Sequence, residues 1–125
     1  MTCRRWTPGA RAGLQRLTPE QAAAAVGKGA LLVDIRQERQ LVADGLVPGA
    51  TVVHRNVLEW RLDPESGTPD PALAHPEAQV IVICDEGYTS SLAAASLQEL
   101  GFDRATDVIG GFRAWKAAGL TVTPA

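Results

Sequence analysis

Residues 80–102 read VIVICDEGYTSSLAAASLQELGF. The first four residues are β-branched, and the run ends in Cys84. An uninterrupted run of this kind marks a central parallel strand covered on both faces. A short polar loop with one glycine, Gly87, follows it. Then come Ser90 and Ser91, and a segment with Ala93, Leu97 and Leu100 at helical spacing, stopped by Gly101. Strand, loop and helix in that order leave Cys84 where the strand gives out. In open α/β sheets, ligands gather beyond the carboxyl ends of the strands.

The flanking sequence repeats the alternation. Thr18, Pro19 and Glu20 open a helix as N-cap, first-turn proline and first-turn acid, and Gly27 or Gly29 stops it. Ala30–Ile35 reads as a strand, RQERQLVADG as a short polar helix closed by Gly45, and Thr51–His54 as a strand after a Pro-Gly turn. Asn56 and Glu59 have the spacing of a capping box, and Pro64 ends that helix. Residues 65–78 carry three prolines and a glycine and read as a surface loop. Downstream, ATDVIGG is a strand, GGFRAWKAAG a helix with Phe112 and Trp115 on one face, and LTVTPA a last extended piece. The class is α/β, with a mainly parallel central sheet of about five strands and helices on both faces.

The chain has 125 residues, with 46% hydrophobic and 21% charged residues, which fits one globular domain. A net charge of −2 gives no strong pull toward nucleic acid or an anionic membrane. No apolar run approaches the ~20 residues of a membrane helix. Residues 1–16 carry arginines but no apolar h-region. They are expected to form a partly disordered tail ahead of a domain at 17–125. The two cysteines, Cys3 and Cys84, read as free thiols in a reducing cytoplasm. Cysteines and histidines lie too far apart for zinc-ligand spacing, and no glycine-rich nucleotide motif is present. No metal or other cofactor is expected.

Backbone amides around Gly87, together with a helix N-terminus capped by Ser90 or Ser91, would make a pocket of partial positive charge. Such a pocket stabilises a thiolate or a persulfide anion. Hydroxyls of Tyr88, Thr89 and Ser90 would add donors. From the local pattern alone, a buried cysteine acting as a small hydrophobe is an equally good reading.

Motifs spread over the chain decide between these. LLVDIR (with Asp34 and Arg36), GLVPGA (45–50), the stretch 80–102 and VIGGFRAWKAAGLTV occur in order. Together, from Leu17 to Val122, they resemble the single-domain rhodanese family of sulfurtransferases. The resemblance implies that Cys84 accepts sulfane sulfur from a donor such as thiosulfate. The resulting persulfide would pass that sulfur to a thiol or cyanide, in covalent ping-pong chemistry. The six residues Cys84–Thr89 match the loop length of sulfur-transferring members. Related phosphatases have a longer loop ending in arginine, and neither Ser90 nor Ser91 supplies that phosphate clamp.

Many active members carry arginine just after the cysteine and again at the end of the loop. Here those positions are Asp85 and Thr89, and Glu86 adds a second acid. Acids beside a thiol oppose its ionisation. If both point into solvent, the loop amides prevail, while a dianion such as thiosulfate meets repulsion at the entrance. Thiosulfate is therefore expected to be a poor donor, and a neutral or cationic donor or a persulfidated protein a better one. Arg55 would lean over the loop as a substitute charge, or pair with Glu59 or Asp63. Trp60 would wall the pocket or pack in the core. Asp34 and Arg36 would brace loops, His54 would end a strand, and Cys3 would lie in the tail as a free thiol rather than resolve a persulfide as a disulfide. Two other readings stand beside the transferase: a non-catalytic binding or sensing module, and a redox sensor oxidised at Cys84.

Overall fold

The computed structural model describes residues 3–125, with side chains from residue 7 onward. The apolar run at its centre sets the layout. Val80, Ile81, Val82 and Ile83 form strand β3 (Val80–Ile83), and all four are fully buried. Successive strand side chains point to opposite faces. Val80, Val82 and Cys84 therefore enter one core, and Ile81 and Ile83 the other. Burial of each large aliphatic side chain contributes about 1.5–3 kcal/mol. Strand β3 pairs in parallel with β1 (Leu31–Asp34) and with β4 (Thr106–Asp107), while β2 (Ala50–Val52) pairs in parallel with β1. The order is β2-β1-β3-β4.

Helices cover both faces. On one, Leu58 and Leu62 of α4 (Leu58–Leu62) and Ala93, Ala94 and Leu97 of α5 (Thr89–Glu99) pack with Val33 and Val82. On the other, Ala22 of α2 (Pro19–Gly27) meets Phe112 and Trp115 of α6 (Gly111–Ala117) over Leu32, Ile81 and Ile83. Helix α3 (Glu38–Asp44) links β1 to β2. Thr18 caps α2 as its sequence demands, and Gln21 returns the bond in a capping box.

Three expectations change. The sheet has four strands rather than about five. The closing segment makes a single antiparallel bridge, Thr123 to Leu46, with backbone bonds of 2.7 and 2.9 Å. Pro124 has no N–H with which to extend the ladder. The capping box at Asn56 does not form. Residues Arg55–Val57 make a 3-10 turn, α4 starts at Leu58, and Glu59 pairs with Arg55 and Ser96 instead. A charged partner competes better for a carboxylate than one exposed backbone amide.

The N-terminal segment is the third. Residues expected as a tail form α1 (Cys3–Arg11), which packs against α5. The stretch after it is tied down by Gln98 Nε2 donating to the Gly13 carbonyl (3.0 Å) and by Leu17 N–H donating to the Asp107 carbonyl (3.1 Å). Beside these polar bonds only Leu14 and Leu17, both half-buried, pack against the cores, too few to leave a hydrophobic periodicity to read.

The chain leaves β1 and β3 in opposite directions, β2 lying outside β1 and β4 outside β3. That is a topological switch point, where a crevice opens beyond the strands' carboxyl ends.

Candidate active site

A cavity of about 520 Å³ lies at this place. Ile35, Arg36, Gln37 and Gln40 line it from the end of β1 and the start of α3, and Cys84, Asp85, Glu86, Tyr88 and Thr89 from the end of β3. Arg55 completes the wall.

Cys84 is 7% exposed. Its Sγ accepts the Gly87 N–H at 3.2 Å and the Ser90 N–H at 3.3 Å. Curling the loop round the sulfur takes Gly87 to φ +86°, which glycine adopts without strain. Ser90 lies in the first turn of α5, whose N-cap residue, Tyr88, makes no side-chain cap bond. The sulfur takes the place of a capping oxygen. Neither Ser90 nor Ser91 is the N-cap. Both hydroxyls instead donate to Asp107 Oδ2, each at 2.7 Å. Two amide donors and the positive end of a helix favour negative charge on whatever sulfur sits there.

The Gly110–Gly111 pair holds the loop from α6. Phe112 N–H donates to the Cys84 carbonyl (2.7 Å) and Arg113 N–H to the Asp85 carbonyl (3.1 Å). Gly111 has φ +62°, and a Cβ there would stand 2.5 Å from the Cys84 carbonyl oxygen. Only glycine lets the two backbones approach this closely.

The two loop acids behave differently. Glu86 is exposed. The Asp85 side chain is 16% exposed and turns back to Arg113, whose Nε donates to Oδ2 at 2.9 Å. Asp85 thus does not point into solvent, because α6 brings it a cation. That bond and the Asp85 charge, with Glu86 3.6 Å away, raise the Arg113 pKa above its ordinary value.

Arg55 reaches the cavity and also pairs with Glu59 at 2.8 and 2.9 Å. Burial pushes the Glu59 carboxyl up, but the Ser96 hydroxyl, its own backbone amide and Arg55 together hold it below the usual carboxylate range. Arg36 is buried, ion-paired to Asp34 at 2.7 Å and bonded to the Gly45 carbonyl at 2.9 Å. It stacks on the Phe112 ring at 3.9 Å. This pair braces the loop after α3, and Arg36 also forms part of the cavity wall.

Trp60 is not at the site. Leu58 and Leu62 turn inward at i, i+4, which leaves Trp60 on the outer side of α4, 59% exposed, beside Asp63, Ser66 and Leu100. It is neither pocket wall nor core. His54 is exposed and outside the cavity. The side chain of Cys3 lies outside the described residues.

Four residues near the loop escape sequence reasoning: Arg11, Arg16, Asp107 and Arg113. Asp107 is fully buried, and Arg16 pairs with it at 2.8 Å. Arg11 Nη2 and Arg16 Nη2 both donate to the Gly87 carbonyl, at 2.8 and 3.0 Å. The one signal available was an acid inside the apolar run ATDVIGG.

Fold and site together define a parallel α/β protein whose cysteine sits at a switch point, ringed by amides at a helix N-terminus. The family model of the rhodanese-like domain matches residues 18–118, and the chain belongs to this family of single-domain sulfurtransferases. Over 103 residues it is 36% identical to the thiosulfate sulfurtransferase GlpE of Pseudomonas entomophila (strain L48), covering 82% of this chain and 85% of that one. A Rhodopseudomonas palustris protein of unknown function, described as a possible tyrosine phosphatase, matches with a TM-score of 0.89 and 30% identity. That match covers 98% of this chain and 94% of the other. The polysulfide-sulfur transferase homodimer of Wolinella succinogenes gives a TM-score of 0.76 and 25% identity, over 98% and 87% of the two chains.

Proposed function

We propose that the protein carries sulfane sulfur as a persulfide on Cys84 and hands it to a thiol or to cyanide. The observation that carries this reading is the pair of amide bonds to Sγ, from Gly87 and Ser90, at the floor of an open cavity. In the first half-reaction the Cys84 thiolate attacks the outer sulfur of the donor. The donor's S–S bond breaks, and sulfite leaves from thiosulfate or a thiolate from a persulfide. The terminal sulfur now bears the negative charge beside the loop amides and the start of α5. In the second half-reaction the acceptor attacks that terminal sulfur, and the bonding pair returns to Cys84. Electrons balance without an external oxidant or reductant.

The rim bears on the donor. Asp85 and Glu86 face one nearby guanidinium, Arg113, so a dianion meets a small net repulsion. Thiosulfate is accordingly a high-KM donor, and a small persulfide or a persulfidated protein the better one. Arg55, which also lines the cavity, is the substitute cation for the donor's charged end. A phosphatase reading is less favoured. Phosphate needs a bidentate guanidinium at the end of the loop, where this chain has Thr89 and Ser90. The compartment that suits a free Cys84 is a reducing cytoplasm. Among the described residues, no helix is long and apolar enough to cross a membrane.

The test is intact mass after incubating the reduced protein with thiosulfate or with a low-molecular-weight persulfide. A gain of one sulfur that Cys84→Ser lacks is expected, faster from the persulfide. No gain from either donor would leave a binding or sensing module as the better reading.

A further inference from the structure

We infer that Arg11 and Arg16, which precede the family-matched residues 18–118, are positioning residues of the cysteine loop, acting through the Gly87 carbonyl and Asp107. The inference rests on reading Cys84 as the sulfur acceptor. Only two amides reach Sγ among the described residues, those of Gly87 and Ser90. Both residues are held by one network whose arginines are half-buried and whose aspartate and serines are buried. A carbonyl oxygen has two acceptor sites. On Gly87 two guanidinium groups donate, Arg11 Nη2 at 2.8 Å and Arg16 Nη2 at 3.0 Å, with the Ser91 hydroxyl farther off at 3.3 Å. Arg11 Nε donates to Ser91 Oγ at 2.9 Å. Arg16 Nε donates to Asp107 Oδ1 at 2.8 Å. Asp107 Oδ2 accepts the hydroxyls of Ser90 and Ser91. The N-terminal segment, the cysteine loop and the end of β4 are thereby locked into one unit.

The charges matter as well as the bonds. The network holds two guanidinium groups and one buried carboxylate: Arg16 pairs with Asp107, and Arg11, which bonds to Gly87 and Ser91 and lies over the Tyr88 ring, adds a positive charge behind the loop. Bonds from charged donors are roughly twice as strong as neutral ones, so the Gly87–Tyr88 peptide group is held firmly, and with it the backbone between the two amides that reach Sγ. The loop itself carries no cation between Cys84 and Ser91. In this chain positive charge is supplied from beneath the loop, by a segment that composition alone marks as a tail.

A purely structural role makes a different prediction, and Gln98 provides the control. Gln98 anchors the same segment through the Gly13 carbonyl without touching the loop. Arg11→Gln, Arg16→Gln, Arg16→Lys and Gln98→Ala would be compared in the full chain. Three quantities are read: the rate of sulfur uptake at Cys84, the rate of its alkylation by iodoacetamide, and Tm. Arg11→Gln and Arg16→Gln are expected to slow both reactions roughly tenfold. Final stoichiometry and donor half-saturation should stay unchanged, because the cavity wall is intact. Arg16→Lys should recover part of the rate. Gln98→Ala should react at the wild-type rate even where its Tm falls as far. Arginine variants that react at wild-type rates, or slow only in step with Tm as Gln98→Ala does, would overturn the inference. If the wild type takes up no sulfur, the proposed function fails, and the alkylation rates alone decide the role of the arginines. If Arg16→Gln does not fold, Arg11→Gln decides it.

Discussion

On the outer side of the cysteine loop, Glu86 faces solvent and the two-thirds-exposed Arg113 reaches across to Asp85. On the inner side, Arg11, Arg16, Ser90 and Ser91 converge on Asp107 and the Gly87 carbonyl, with Asp107 fully out of water. Both sides pair arginine with aspartate at 2.8–2.9 Å, yet the pairs do different things. A pair whose guanidinium lies in water is screened by salt and adds little to stability. Its charge acts on what arrives from solution. A buried pair with every acceptor filled has one geometry available, and breaking it strands a charge. The outer side therefore tunes the donor, and the inner side fixes the surroundings of the sulfur.

The largest effect expected from breaking this contrast is at Asp107. Asp107→Ala removes the acceptor for Arg16, Ser90 and Ser91 together and should cost about 3 kcal/mol, seen as a lower midpoint in urea. Reactivity at Cys84 should fall with it. A variant as stable as wild type would mean that the inner network does not hold the loop.

Arg113→Ala should be much milder in stability and more telling in kinetics. With Asp85 and Glu86 unopposed, the KM for thiosulfate should rise about threefold to fivefold at low ionic strength. Added salt should bring it back down, because screening weakens the repulsion. The KM for an uncharged donor should not move. A thiosulfate KM indifferent to both the substitution and salt would remove the outer acids from the account.

The smallest effect is at Glu59, which holds Arg55 at the cavity wall. Its carboxyl is held below the ordinary value of 4.5, so the ionised form is the one the fold favours. That contribution is complete above the ordinary value and is lost as pH falls through the lower folded value. The stability advantage of wild type over Glu59→Gln should therefore be constant above the ordinary carboxylate value and shrink as pH falls through the lower folded value. An advantage that grows on acidification would contradict the sign.

Much of this was legible in the sequence, and the reason is physical. The run VIVI needs cover on both faces, so its place in the middle of a parallel sheet follows from hydrophobicity alone. Cys84 follows from its position at the end of that run, and Gly87 from the tight loop behind it. The Gly110–Gly111 pair was readable only as a strand end and a helix start, and its close approach to the loop needs the structure. The inner network was not legible, because its members are far apart in the chain and polar. Arg16 and Asp107 are 91 residues apart. Arginines in a segment without apolar periodicity look solvated until a buried acid is found to receive them. Trp60 failed in the opposite way. Its size suggested a wall or a core, but in a five-residue helix two leucines at i, i+4 already fill the inward face.

The central claim is that Cys84 both takes and gives sulfur. The most direct test is a single turnover: load the protein, remove excess donor, add cyanide, and measure thiocyanate against the loss of the added sulfur mass at Cys84. The account predicts one thiocyanate for each loaded chain and return of Cys84 to the free thiol. A loaded cysteine that keeps its sulfur under cyanide would contradict it, and would make the site a sulfur or redox sensor rather than a transferase.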